Sequence, residues 1–161
     1  MEKVYLLLGT NVGDLEENLK RAIESIAARN IKINKISQIY KTKPWGVIDQ
    51  PDYLNAALEV ETDLSAPDLL RAVKTIEQEM GRKKPEEKWK PRVIDIDIVF
   101  WGNHVFEQDN LKIPHREFYN RPFAMKILSE IAPDFRPPGS ERTLKELSVG
   151  VTNEGIEIHR D

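Results

Sequence analysis

The stretch RVIDIDIVFWG, Arg92 to Gly102, constrains the fold of this chain more than any other, because it reads as a core strand and yet carries Asp95 and Asp97. Side chains in a strand alternate between faces. Ile94, Ile96, Ile98 and Phe100 are therefore expected on one side, with Val93, Asp95, Asp97, Val99 and Trp101 on the other. Aspartates at i and i+2 usually mark a solvated strand face. Here they share that face with Val93, Val99 and Trp101, and two carboxylates about 7 Å apart in half-apolar surroundings repel unless a cation sits between them. All-oxygen ligation favours Mg²⁺, which binds through one or two carboxylates plus substrate phosphates.

The rest of the chain supplies partners for such a strand. A first strand over about Val4–Leu8 ends at Gly9, and a helix follows in which Asp14 and Glu17 have capping-box spacing and Leu15, Leu19, Ala22, Ile23 and Ile26 form an apolar stripe. Ile31 and Ile33 begin a second strand, and Ile36 falls out of phase, which predicts a bulge or a twist. YLNAALEVET reads as a third strand, with Tyr53, Asn55, Ala57 and Glu59 on one face. A second helix runs from Ser65 to Gly81, and a further one lies between Pro122 and Pro133. The order β-α-β-β-α-β predicts an α+β, ferredoxin-like antiparallel sheet with helices on one face and an added C-terminal helix.

The length of 161 residues suits one domain, expected over residues 1–149, with 150–161 as a C-terminal extension of unassigned role. No apolar run is long enough to span a membrane, and KVYLLLG reads as a strand and not a signal peptide, so a cytoplasmic, monomeric protein is expected. The absence of cysteine removes disulfides and thiol chemistry, and the 3 histidines lack metal-pair spacing. A net charge of -3 gives no global attraction to nucleic acid or membrane. The local run RKKPEEKWKPR, Arg82 to Arg92, is strongly basic and directly precedes the aspartates, as polyphosphate binding requires. Tyr53 and Asn55 on one strand face suit a flat heterocycle, although a core tyrosine beside a satisfied amide is the commoner meaning.

Taken in order, LGTN, YKTKPWG, QPDYLNAALEVET, GR, WKPRVIDIDIVFWG, IPH and RPF resemble the 6-hydroxymethyl-7,8-dihydropterin pyrophosphokinase family, from Val4 to about Leu147. The resemblance implies a ferredoxin-like fold and an ATP-dependent transfer of pyrophosphate to the pterin hydroxymethyl group, with release of AMP. It implies that Asp95 and Asp97 hold two Mg²⁺ ions and that Arg82 and Arg92 join them in catalysis. Tyr53 and Phe123 would flank the pterin, with Asn55, Thr42, Lys43 and Trp45 at its edge. Glu77, Arg82, Lys84, Trp89, Arg92, Ile98, His115 and Arg121 would serve ATP, Trp89 from a lid. Lys90 stands where the family has glycine, so the backbone there loses easy access to positive φ. Two other readings use the same features: a ferredoxin-like nucleic-acid-binding module, which the acidic pair opposes, and a two-metal nuclease.

Overall fold

Strand β1 (Val4–Thr10) lies between β4 (Tyr53–Thr62) and β5 (Asp95–Trp101) and runs antiparallel to both. The computed structural model describes residues 2–43, 51–81, 93–151 and 155–159. On its far side β4 pairs with β2 (Ile31–Ile36) and β3 (Tyr40–Thr42), and β3 in turn pairs with β8 (Ile156–Ile158). The sheet order is β5-β1-β4-β3-β8, with β2 also beside β4. Helix α1 (Leu15–Ala27) joins β1 to β2, and α2 (Ala66–Glu79) lies between β4 and β5, the interleaved units of a ferredoxin-like sheet. A separate hairpin of β6 (Phe106–Gln108) and β7 (Leu111–Ile113) follows β5.

Both connecting helices begin where short polar side chains can satisfy free amides. Asp14 accepts from the Glu17 N–H, and Ser65 accepts from the Asp68 N–H. Their apolar stripes pack on one face of the sheet, burying Leu19, Ile26, Leu69 and Ile76 against Leu6, Leu8, Leu58 and Ile96. Helices α3 (Pro122–Ile131) and α4 (Leu144–Ser148) cover part of the opposite face, where Ile127, Leu128 and Leu144 meet Tyr5, Leu7 and Ala57. The added helix thus forms a second layer instead of joining the first two on one face.

Strict alternation along β5 fails at one point. Tyr5 stands opposite Phe100 and Leu6 opposite Ile98, so Val99 is an extra residue in the register. Such a bulge reverses the phase beyond it. Phe100, expected beside the isoleucines, instead joins Val99 in the α3-side core, with ring centroids 4.9 Å from both Phe118 and Phe135. Trp101, expected beside the aspartates, packs on the α1/α2 side. A second slip between Ile33 and Lys35 corresponds to the bulge anticipated in β2.

A buried polar network fixes the turn from β1 into α1. The Asn18 amide donates to Thr10 Oγ1 at 3.1 Å and to the Val12 carbonyl at 2.7 Å, while the Thr10 hydroxyl donates to the Val93 carbonyl just ahead of β5. Asn18→Ala leaves both acceptors short of a donor. Urea denaturation should show a loss of roughly 1–3 kcal/mol.

Candidate active site

The half of the α3-side sheet face that α3 and α4 leave uncovered forms the floor of a cavity of about 340 Å³. Leu7 and Gly9 of β1, Tyr53 and Asn55 of β4, and Asp95 and Asp97 of β5 line it from the sheet. Thr42 and Lys43 border it at the end of β3, and Phe123 does so from the first turn of α3. A neighbouring cavity of about 220 Å³ lies between α2, β5 and the β6–β7 hairpin and includes Ile98, Asn110, Leu111 and Lys112. Lys74, Asp97, His115 and Arg116 line both.

Nine residues singled out in the sequence therefore meet in the larger cavity: Thr42, Lys43, Tyr53, Asn55, Asp95, Asp97, His115, Arg121 and Phe123. Ile98 lines only the smaller one. Trp45, Arg82, Lys84, Trp89, Lys90 and Arg92 lie outside the described residues. Lys74 and Arg116 line the junction of the two cavities as well. A lysine on an amphipathic helix and an arginine beside a loop histidine look like ordinary surface charges until the fold turns both toward one junction.

Asp97 is held from two sides. Its Oδ2 accepts from Arg121 Nη1 at 3.2 Å, and its Oδ1 lies 3.6 Å from His115 Nε2. The Glu117 N–H donates to His115 Nδ1 at 3.2 Å, which places the proton of the neutral ring on Nε2, facing Asp97. Burial pulls the His115 pKa below its ordinary value; Asp97 and Glu117 push it up, Arg121 and Arg116 push it further down, and the net shift is downward. At neutral pH the ring is therefore an uncharged donor.

The backbone between the two aspartates has its own anchor. Glu77 of α2 is 1% exposed, and its Oε2 accepts from the Ile96 N–H at 2.8 Å. Lys74 Nζ lies 3.3 Å from Oε1 of the same carboxylate. The residue assigned in the sequence to nucleotide binding thus supports the strand from beneath, and Lys74 is the charge it carries into the junction.

On the β4 side, the Asn55 amide donates to Thr42 Oγ1 at 2.5 Å. This bond turns Oδ1 toward Gly9, where a Cβ would lie only 2.8 Å from it. Asn55 therefore presents a carbonyl oxygen to the cavity, and the missing side chain at Gly9 is what makes room for it. Among the described residues no group of three or more His, Cys, Asp or Glu could hold a metal ion. An ion at Asp95 and Asp97 would have coordination positions open to water or ligand oxygens.

The profile of the 7,8-dihydro-6-hydroxymethylpterin-pyrophosphokinase family matches residues 5–133. A 2-amino-4-hydroxy-6-hydroxymethyldihydropteridine pyrophosphokinase of Synechocystis sp. is 40% identical over 141 residues, spanning 87% of this chain and 71% of that one. The protein of the same name from Methylorubrum extorquens is 39% identical over 158 residues and is spanned, like this chain, to 98%. Among solved structures, Plasmodium falciparum HPPK-DHPS with pterin and p-hydroxybenzoate has the same fold, with a TM-score of 0.76 at 14% identity. That match covers 98% of this chain and 45% of the longer one.

The Glu77 anchor can be measured directly. Glu77→Leu leaves the buried Ile96 N–H without its acceptor and should cost roughly 1–3 kcal/mol in urea denaturation. Glu77→Gln keeps an acceptor and should cost less.

Proposed function

Because this chain belongs to the 7,8-dihydro-6-hydroxymethylpterin-pyrophosphokinase family, we propose that the larger cavity takes the pterin, the smaller one the nucleotide, and the residues common to both the phosphates between them. The chain transfers the pyrophosphoryl group of ATP to 6-hydroxymethyl-7,8-dihydropterin, a step of folate synthesis, leaving AMP. One observation carries the division of the site: Lys74, Asp97, His115 and Arg116 border both cavities, so a phosphate chain can run from one to the other past three possible donors. Displacement at the β-phosphorus needs the acceptor oxygen in line and the charge on the phosphates neutralised, more than it needs a strong base.

In this reading Tyr53 and Phe123 flank the pterin ring. Asn55 Oδ1 receives an N–H of its edge, with the orientation of the amide set in advance by Thr42. Lys74, Arg116 and Arg121 bring positive charge to the triphosphate, and the neutral His115 offers its Nε2–H to a phosphate oxygen or to Asp97. The donor set at Asp95 and Asp97 fits a divalent ion, and we assign two Mg²⁺ to it, since two carboxylates leave coordination positions for phosphate oxygens and water. Such ions would supply charge neutralisation and polarise the transferring group. The chain's own contribution is to hold Asp97 in one orientation through Arg121 before any ligand arrives.

The direct test is AMP formation. AMP should appear from ATP and Mg²⁺ only when the hydroxymethyl-dihydropterin is supplied; pterin-independent hydrolysis, or RNA binding without turnover, would count against this assignment. Asp97→Asn should lower AMP formation at least about a hundredfold while the protein stays folded by circular dichroism. Gly9→Ala forces Asn55 from its position and should weaken pterin binding about tenfold in calorimetry, with the affinity for a non-hydrolysable ATP analogue unchanged.

A further inference from the structure

We propose that the C-terminal strand β8 is a positioning element for the acceptor substrate: by pairing with β3 it fixes Thr42, and through Thr42 it fixes the Asn55 amide that faces the pterin. The inference rests on the pterin assignment above. It concerns residues that lie beyond the family match, which ends at residue 133.

Strand β3 is only three residues long, and β4 supports one edge of it. Its other edge is taken by β8 in the register Tyr40↔Ile158, Lys41↔Glu157 and Thr42↔Ile156. The ladder continues past both ends of the strand. The Lys43 N–H donates to the Gly155 carbonyl at 3.1 Å, and the His159 N–H donates to the Ile39 carbonyl at 2.8 Å. Alternation of bonded and non-bonded pairs then makes Lys41 and Glu157 the bonded pair between them. The pairing is therefore five residues deep on each chain segment, longer than β3 itself.

Two further contacts hold the tail in place. Gly155 adopts φ +74, and a Cβ there would come within 3.3 Å of Lys43 Cγ, so the tail lies directly on the Lys43 side chain. His159 Nε2 lies 2.6 Å from Glu16 Oε1 in the first turn of α1. Thr42 and Lys43 are thus held from outside by the tail while they line the larger cavity from within. Thr42 is 3% exposed, and its hydroxyl accepts the hydrogen bond that ties the Asn55 side chain to β3. If β3 shifts, the Thr42 hydroxyl moves with it and draws the Asn55 amide out of line with the edge of the ring.

The test uses the full chain. Glu157→Pro removes the donor of the central bonded pair without touching either cavity described as a substrate site. It should raise KM for the hydroxymethyl-dihydropterin about tenfold and leave KM for ATP within about twofold. Glu157→Ala, which keeps the N–H, should restore the pterin KM. Equal rises in both KM values, or an unchanged pterin KM, would overturn the proposal. Linkage supplies a second measurement that needs no variant: if the pairing favours pterin binding, pterin binding must favour the pairing. In the wild-type protein with Mg²⁺ and a non-hydrolysable ATP analogue, adding the pterin should slow hydrogen exchange at Glu157 and His159. Unchanged exchange at those amides, with pterin shown to be bound by calorimetry, would overturn it. A wild-type protein that binds no pterin at all refutes the pterin assignment itself, which separates the two failures.

Discussion

Asp95 and Asp97 stand on one face of β5, the outermost strand on that side of the sheet, so their repulsion must be balanced while the strand's outer edge is also kept paired. The contacts that meet these two needs come from separate parts of the chain. Glu77 of α2 accepts the Ile96 N–H between the aspartates, and the His115 N–H donates to the Val99 carbonyl at 3.0 Å. Arg121, at the cap of α3, brings its positive charge to Asp97. Thr10 holds Val93 ahead of the strand. These bonds pair two polar groups on the outer edge of the strand, which leaves less of that edge open to a foreign strand.

The two faces of the sheet divide stability from binding. Under α1 and α2 the core is continuous from Leu6 through Leu58 to Ile76, and no ligand is needed to complete it. On the other face α3 and α4 bury one half through Ile127, Leu128 and Leu144, and the remaining half carries the cavity. Gly9, Asn55 and the aspartates can therefore be exposed to a ligand without opening the main core. The requirement on the binding half is positional: Asn55 needs the hydroxyl of Thr42, and Asp97 needs Arg121, each supplied from a neighbouring element.

Much of this was legible in the sequence because it rests on local patterns. The period-2 pattern of β4 put Tyr53 and Asn55 on one face, and the helical stripes gave α1 and α2 with their caps at Asp14 and Ser65. The features that were not legible depend on partners distant in the chain. Ile156, Glu157 and Ile158 alternate over too short a run to identify a strand, and they become one where β3 offers an edge. Lys74 has the periodicity of a solvated helix position, and only the packing of α2 against β5 brings it to the cavities. Glu77 was expected to help hold the nucleotide region together, but its bond to the Ile96 N–H follows from the packing of α2 against β5 and could not be read from the helix alone.

The bulge at Val99 shows how a departure from pattern can organise the site. In a regular strand Phe100 would fall on the α1/α2 face and the α3 side would lose its largest contact with β5. The extra residue instead lets Val99 and Phe100, consecutive in sequence, enter the same core. Phe100 then packs edge-on against Phe118. Phe118 sits between the two groups that hold Asp97: its N–H donates to the His115 carbonyl at 3.0 Å, and its carbonyl accepts the Arg121 N–H at 3.2 Å. Packing at one end of β5 thus fixes the backbone that delivers His115 and Arg121 to the carboxylate near the other end. Before the bulge, alternation keeps Asp95 and Asp97 together on the cavity side; after it, the same face is given to aromatic packing. The strand needs both phases, since the first presents the carboxylates and the second secures the cation that balances them.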